Sequence, residues 1–371
     1  MKKTIILVAV AIAALSCSKT YETKNAPVDG TPISLSSWSN TLTKARTAGD
    51  DAFASGDKFY VYAYTSGTAT PFEGETVSFD GTDWTYSPVR FWNRNYDYYS
   101  FYAVSPSEDV AEADLVNSVT YATGVIVSKS ITFAVTDNDI LVADSVKVMK
   151  SAYGQEVQLN FRHAAALFDL KVRKGDGLKA LDAAGQGAIV KVQSVALENI
   201  NATGTFTVAS YDASSAVPTI NWASTATASY DNTKGVVPVS FDSSNPLTVI
   251  NFLSDSDTQF LINKLIVMPQ TFAANAQRLK ISYTITTGSG ATEQVETFAD
   301  KTYDLVLFDK TDYDTDDDTG TGVDYNAGTN VSGWVGGVHY TYIITIDAEA
   351  ITFDATLTPW TTDDGYYYIL N

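Results

Sequence analysis

The chain has 371 residues, a net charge of −19 and one cysteine. So negative a field repels nucleic acid and anionic lipid headgroups, which excludes nucleic acid from the expected partners. A single cysteine cannot form an internal disulfide or a thiolate metal cluster, so the fold must depend on its own core. The length suits two domains, or one large one.

The N-terminus has the pattern of a lipoprotein export signal. The basic start at residues 1–3 is followed by eleven apolar residues at 5–15, enough for a signal peptide but too few to span a bilayer. The apolar run ends at Ala-Leu-Ser-Cys, and small residues before a cysteine favour cleavage in front of Cys17 and its lipidation. The usual pattern has Leu where this chain has Ala14.

We therefore expect a signal peptide at 1–16 and a lipidated tether at 17–31, with Cys17 as the lipid anchor to a membrane. Residues 18–31 are polar and contain Pro27 and Gly30, as in a linker. Three acyl chains, as bacterial lipoproteins carry, are enough for stable attachment. The alternative is ordinary secretion with an unmodified cysteine.

Short runs of alternating apolar and polar residues fill the rest of the chain and predict β-strands. Their apolar members begin with Phe59, Val61 and Ala63, then Val157, Leu159 and Phe161, then Phe168, Leu170 and Val172, followed by the runs that start at Leu279, Tyr340 and Ile351. Each run predicts one face towards a core and one in water, as in antiparallel sheets. Long helical patterns are absent, so we expect an all-β protein of two-layer sandwiches.

A domain boundary is expected near Tyr153-Gly154-Gln155. Before this point the chain is rich in Tyr and Trp, and after it a new series of strands begins. The predicted units are an N-terminal β-sandwich at 32–155 and a C-terminal β-sandwich at 156–371, and both have ordinary domain sizes.

Two loops have some features of binding sites. The glycines between Gly175 and Gly187 lack the spacing and the Gly-Lys-Ser/Thr ending of a phosphate loop, so a flexible connector is expected. The acidic segment 309–324 offers a weak calcium candidate, whose possible ligands are Asp312, Asp314, Asp316 and Asp318. The sixth position of that loop is Asp rather than Gly, and no Glu stands at the twelfth, so a solvated acidic loop is favoured.

Catalytic patterns are not evident. The two histidines, His163 and His339, stand at the ends of predicted strands without the spacing of a metal pair, and nucleophile-elbow and zinc-protease motifs are missing. Carboxylate pairs are too frequent among 43 acidic residues to indicate a glycosidase. Trp84 and Trp92 are expected to be core or edge aromatics. We expect no enzyme activity and no cofactor.

Two neighbouring segments carry a resemblance to a known family. Residues 84–92 read WTYSPVRFW, and residues 98–106 read YYSFYAVSP. This pair resembles the fimbrillin family of Bacteroidetes, in particular its minor-fimbrillin-like branch. Weaker matches follow in the family's order along the whole chain after the signal; they lie at 46–48, 56–59, 140–143, 157–163, 201–204 and 351–360.

The resemblance implies two transthyretin-like sandwich domains, export as a lipoprotein, and assembly into pili on the cell surface with other pilin subunits. In the family, a trypsin-like protease cuts after an arginine near the start and removes the first strand. The vacated groove then accepts a strand from another subunit. In this chain Ile33 and Leu35 lie in a short strand-like run ahead of Arg46, the expected cleavage site, although Lys44 is close by.

The C-terminal tail is a candidate donor strand, through Tyr366, Tyr368 and Leu370. The simpler alternative makes it the last strand of its own domain. For the whole chain, the alternative to a pilus stalk, tip or anchor subunit is a monomeric surface lipoprotein that binds a glycan or a host or bacterial surface protein.

Overall fold

The computed structural model describes residues 30–37, 53–106, 110–122, 125–135, 139–208, 220–250, 258–307, 309–311, 331–347 and 351–359. Strands make up most of these residues, which confirms the predicted all-β class. The longest described helix has eight residues, and no helix in these ranges is long and apolar enough to cross a membrane.

Strands predominate in both halves of the chain. The first half contains β1 (Leu35–Ser37), β2 (Lys58–Thr65), β3 (Phe72–Phe79), β4 (Trp84–Thr85), β5 (Tyr98–Pro106), α1 (Glu112–Leu115), β6 (Val116–Ala122), β7 (Val125–Ala134), β8 (Ile140–Ala143), β9 (Val146–Met149), β10 (Val157–Leu159), β11 (Phe161–His163), β12 (Ala166–Lys174) and α2 (Asp176–Ala183). The second half contains β13 (Ala188–Val208), β14 (Ile220–Asp231), β15 (Leu247–Val249), β16 (Gln259–Val267), β17 (Gln270–Thr271), β18 (Arg278–Thr287), β19 (Gln294–Asp304), β20 (Asp309–Thr311), β21 (Gly333–Trp334), β22 (Val338–Ile346) and β23 (Ile351–Pro359).

The first large sheet is antiparallel and has the strand order β11-β8-β5-β2-β3-β4, with β9 also paired to β5. Its central strands β2 and β5 are buried on both faces, since seven of the eight residues of β2 and eight of the nine residues of β5 are buried. Phe59, Val61 and Ala63 face a small aromatic cluster. Tyr60 and Tyr62 face the larger core.

The burial of both faces corrects the sequence prediction for β2. Its alternation predicts that the tyrosines form a face in water, but Tyr60 and Tyr62 are almost wholly inaccessible. Their hydroxyls have partners at the edge of the core: Tyr60 donates to the carbonyl of Val110, and Tyr62 donates to a carboxylate oxygen of Glu112. A buried phenol is tolerated when its hydroxyl is bonded in this way.

Two further sheets enclose the larger core. One has the order β16-β12-β22-β23-β20, with β12–β22 and β20–β23 parallel. The other has the order β19-β18-β13-β7-β6, with β14 and β15 also paired to β13. Alternate residues of β18 and β22 are buried, and both strands contribute to this core, so the predicted two-faced pattern is confirmed for them.

Strand pairing crosses the predicted domain boundary in both directions. After residue 155, β10 pairs with β1 and β11 pairs with β8. Before it, β7 pairs with β13. The predicted run from Val157 to Phe161 is therefore two strands with different partners, separated at Asn160, whose carbonyl accepts the N–H of Asp144. The division at 155 stays a prediction.

The glycine loop 175–187 is not a plain connector, because it contains α2. The carboxylate of Asp347 accepts the N–H groups of Gly177 and Leu178 at 3.1 and 3.0 Å, and Leu178 is buried. A Cβ at Gly175 would lie 2.4 Å from the same carboxylate. The glycines therefore let a distant aspartate approach the helix start, where an anion is favoured.

Candidate functional site

Residues 31–37 form a strand segment that is held from two sides. On one side, the N–H of Ile33 donates to the carbonyl of Arg90, and the N–H of Trp92 donates to the carbonyl of Thr31, both at 2.9 Å. On the other side, the N–H of Val157 donates to the carbonyl of Ser34 at 2.9 Å. The segment runs antiparallel to 90–92 and parallel to β10.

Two side chains of the segment point into the core. Ile33 is 2% exposed and Leu35 is 3% exposed, whereas Pro32 and Ser34 are exposed. This alternation confirms the predicted short strand. Ile33 and Leu35 belong to the same apolar cluster as Val157 and Leu159 of β10. The segment is thus part of the core, and residues 38–52 connect it to the next described residues.

Aromatic rings form the interior of this site. Trp92 stacks on Tyr153 with ring centroids 4.5 Å apart, and Tyr99 meets both rings edge-on. Hydrogen bonds fix two of the rings, since the Tyr153 hydroxyl donates to the carbonyl of Tyr96 and the Tyr99 hydroxyl accepts the N–H of Asn93, each at 3.0 Å. Burial raises the pKa of Tyr153 well above its usual range, so its hydroxyl remains a donor.

Tyr86 binds the segment directly. Its hydroxyl donates to the carbonyl of Ile33 at 2.7 Å and accepts the N–H of Arg90 at 3.3 Å. The guanidinium of Arg90 bonds in turn to the carboxylate of Glu75 at 2.9 Å. Burial raises the pKa of Tyr86, so its hydroxyl keeps its proton at neutral pH. Ile33 is therefore held at its N–H by Arg90 and at its carbonyl by Tyr86.

We define the groove as residues 86–92 and β10, which hydrogen-bond to residues 31–37, together with Tyr153, which belongs to the same apolar cluster as Ile33 and Leu35. If residues 31–37 left, the groove would expose main-chain donors and acceptors on both sides and two apolar sites between them. An arrangement of this kind binds an extended strand, because strand addition uses main-chain hydrogen bonds and pockets for alternate side chains. The groove brings together no nucleophile, acid and base.

Both histidines have structural partners. His163 Nδ1 lies 3.0 Å from the carboxylate of Asp139, and His339 Nε2 lies 2.9 Å from that of Asp169. Asp169 also accepts the N–H of Lys264 at 2.7 Å and so fixes a bulge between β12 and β16. Across the described ranges, no group of three or more His, Cys, Asp or Glu side chains is placed to hold a metal.

Most of the predicted site residues lie outside the described residues. They are Cys17, Arg46, the acidic residues Asp312, Asp314, Asp316 and Asp318, and the tail residues Tyr366, Tyr368 and Leu370. The short strand-like run predicted at Ile33 and Leu35 is present, with Leu35 in β1 and Ile33 just before it. Sequence reasoning did not identify Tyr86 or Arg90 as the residues that bond to Ile33, although both lie in the 84–92 stretch.

Comparison with known proteins agrees with this fold. The structure of a fimbrial protein from Bacteroides vulgatus is similar with a TM-score of 0.58 and 17% identity, over 89% of this chain and 99% of the other. A cell adhesion protein from Bacteroides uniformis, described as putative, has a TM-score of 0.47 and 16% identity over 90% and 98% of the two chains. The tip fimbrial protein Mfa3 from Porphyromonas gingivalis has a TM-score of 0.37 and 11% identity over 89% and 100%.

The sequence comparisons differ in outcome. A search of curated proteins returns no match. A family model described as "Fimbrillin-like" matches residues 43–360, which is most of the chain. The resemblance carried by residues 84–92 and 98–106 is thereby confirmed, and the chain belongs to the fimbrillin-like family.

Proposed function

We propose that this protein is a subunit of a cell-surface fimbria and that it assembles with other subunits by exchange of its N-terminal strand. One observation carries the proposal: residues 31–37 place Ile33 and Leu35 in the core from a segment that a single cut could detach. Between this segment and the next described residues, at 53, the chain runs through residues 38–52, which include Arg46.

The order of events follows from the positions of two residues. Cys17 precedes the strand and carries the lipid, so the uncut chain stays on the outer membrane. A cut after Arg46 releases residues 17–46, which removes the lipid anchor and the strand together. The groove then becomes available to a strand from another subunit. An uncut chain keeps Cys17 as a permanent anchor.

The partner is thus another fimbrial subunit, from a homopolymer or a heteropolymer. The proposed domains, 32–155 and 156–371, are joined in this scheme by the strands that cross the boundary. The tail with Tyr366, Tyr368 and Leu370 is the candidate donor within this chain. No catalytic role is proposed.

Limited trypsin digestion of the full-length protein, followed by size analysis, tests the scheme. We expect a ladder of oligomers from the wild type, with Thr47 as the new N-terminus. The variant Lys44→Ala/Arg46→Ala should stay monomeric, because trypsin cuts after lysine as well as after arginine, while the matched variant Lys44→Ala should polymerise as the wild type does.

A wild-type protein that is cut after Arg46 and remains monomeric would contradict strand exchange and favour the monomeric binding lipoprotein. The N-terminus of the protein taken from cells gives an independent result. Lipid-modified Cys17 marks a precursor or an anchor, and Thr47 marks a processed subunit.

A further inference from the structure

We propose that one end of the outer face of the sheet formed by β15, β13, β18 and β19 docks against the same face of a second copy of this chain. The outer face is the one turned away from the larger core. The inference goes beyond the proposed function and does not depend on exchange of the N-terminal strand. It concerns side-to-side contact between two intact copies.

Exposed aliphatic side chains lie next to one another on this face. Ile189 pairs with Thr286, and Thr286 pairs with Val295, so these residues form one row across three strands. The register of β13 with β15 continues one step past its last pair and places Ile250 beside Ile189. The N–H of Ile250 donates to the side-chain oxygen of Gln259 at 2.8 Å, which holds Ile250 in position. We call Ile250, Ile189, Thr286 and Val295 the exposed row.

The exposed row is a contiguous apolar surface. Its three aliphatic members, Ile189, Ile250 and Val295, are 43%, 49% and 56% exposed. Neighbouring strands lie about 4.8 Å apart, so a row across four strands extends for about 14 Å. Single exposed apolar side chains are normal on a protein surface, whereas contiguous ones mark an interaction site. Of the eight large apolar side chains that are exposed in the described ranges, three lie in this row.

The residues beside the exposed row make the face stiff. The adjacent outward row consists of Thr248, Lys191, Thr284 and Thr297. All eight residues of the two rows except Lys191 are branched at Cβ, and such side chains have little rotational freedom at χ1. Docking therefore costs little side-chain entropy. The outer faces of two such sheets can pack together as the inner faces of a β-sandwich do.

The other end of the same face has the character of a sheet surface that stays in water. There the ammonium group of Lys280 binds the carboxylate of Glu198 at 3.0 Å. The guanidinium of Arg278 lies 3.4 Å from the carboxylate of Asp304. Paired charges therefore cover one end of the outer face, and exposed β-branched side chains cover the other. This contrast locates the docking surface at the end that contains the exposed row.

Charge favours a second copy as the partner. The chain has a net charge of −19, so two copies repel each other wherever carboxylates meet. Neither row contains a carboxylate, and the single charge, on Lys191, is positive. If a two-fold axis runs along the exposed row, the row meets itself, and Lys191 of each copy faces the β18–β19 hairpin end of the other. That end carries the exposed residue Glu293, whose charge is opposite to that of Lys191.

Analytical ultracentrifugation over a concentration series tests the inference. The parent protein is the full-length variant Lys44→Ala/Arg46→Ala, which is not cut in the proposed scheme, and we expect a monomer–dimer equilibrium. Ile189→Lys and Val295→Lys should each weaken dimerisation about tenfold or more, because a two-fold interface would contain each new ammonium group twice. The matched control Val237→Lys adds the same charge at a 45% exposed valine outside both rows and should dimerise like the parent. Thermal denaturation checks that each variant is folded.

Two results with the parent protein do not depend on the folding of any variant. Added salt should tighten dimerisation, because it screens the repulsion between two negative copies and leaves the apolar contact in place. A parent protein that stays monomeric at every concentration, or a dimer that weakens with salt, would overturn the inference. Equal dimerisation of the parent, Ile189→Lys and Val295→Lys, or an equal loss in Val237→Lys, would also overturn it. Failure of trypsin-dependent polymerisation would refute only strand exchange.

Discussion

Replacing Leu35 by alanine should loosen the N-terminal strand while the rest of the fold stays intact. Leu35 is 3% exposed and packs in the small apolar cluster with Val157 and Leu159. Truncation of a buried leucine to alanine costs about 2–5 kcal/mol, through lost burial and the cavity that remains. At the lower limit of about 2 kcal/mol, the equilibrium constant for opening of the strand rises about 30-fold, since every 1.4 kcal/mol changes an equilibrium constant about tenfold.

Amide hydrogen exchange measures this opening locally, at the N–H of Val157, which donates to Ser34, and at that of Trp92, which donates to Thr31. The exposed residue Ser34 supplies the control, because Ser34→Ala removes no buried surface. The amides of β18 report on the remainder of the fold and should not change. An increase below about threefold at Val157 would refute the burial argument. An equal increase in β18 would show that the strand opens only with global unfolding.

Three further predictions concern single side chains. Tyr86→Phe should weaken retention of the strand by about 1 kcal/mol, measured by exchange of the Ile33 amide, because the hydrogen bond from the hydroxyl to the Ile33 carbonyl is lost. Since burial raises the pKa of Tyr86, the contribution of this bond is complete below pH 10.0 and is lost as the pH rises through the folded-state pKa. Burial also raises the pKa of Asp144, against the opposing effect of Arg162, which donates to its carboxylate at 2.8 and 3.0 Å. The contribution of Asp144 to stability is therefore greatest below pH 3.8 and falls as the pH rises through the folded-state pKa. Urea denaturation of Asp144→Asn should lack that fall, and an unchanged pH dependence would contradict it. Gly204→Ala should lower the free energy of unfolding by about 1–3 kcal/mol in thermal denaturation, since its Cβ would lie 2.2 Å from the carbonyl oxygen of Ala223.

Strand identity was predictable where periodicity reports burial directly. In β18 and β22 the apolar residues alternate with polar ones, and the structure buries the apolar set. In β2 the same reasoning failed for Tyr60 and Tyr62, because a tyrosine is both a large apolar ring and a hydroxyl. Which of the two properties decides its position depends on a distant partner. For these two tyrosines the partners are Val110 and Glu112, 50 residues away.

Of the N-terminal strand and the groove that holds it, only the strand was predictable from the sequence. The alternation at Ile33 and Leu35 identifies a strand, but nothing local indicates what it pairs with. Its partners are residues 90–92 and β10, more than 50 residues further along the chain. The helix α2 was missed for a similar reason, since the carboxylate of Asp347 that satisfies its first N–H groups lies 170 residues from Gly177. Long-range contacts of this kind leave no periodic signal in the sequence.

In the proposed scheme, cleavage after Arg46 would be an effective trigger because few side chains hold the strand in the groove. Two buried aliphatic side chains contribute about 1.5–3 kcal/mol each. Their sum, about 3–6 kcal/mol, corresponds to a dissociation constant between a few millimolar and some tens of micromolar for a detached strand. While the strand is still joined to the body, its effective concentration is in the millimolar range, which keeps the groove mostly occupied at the tighter end of those dissociation constants. In the proposed scheme, a cut after Arg46 would remove that advantage, so that the strand would leave at cell-surface dilution. A donor with a few more contacts than Ile33 and Leu35 would then bind in its place.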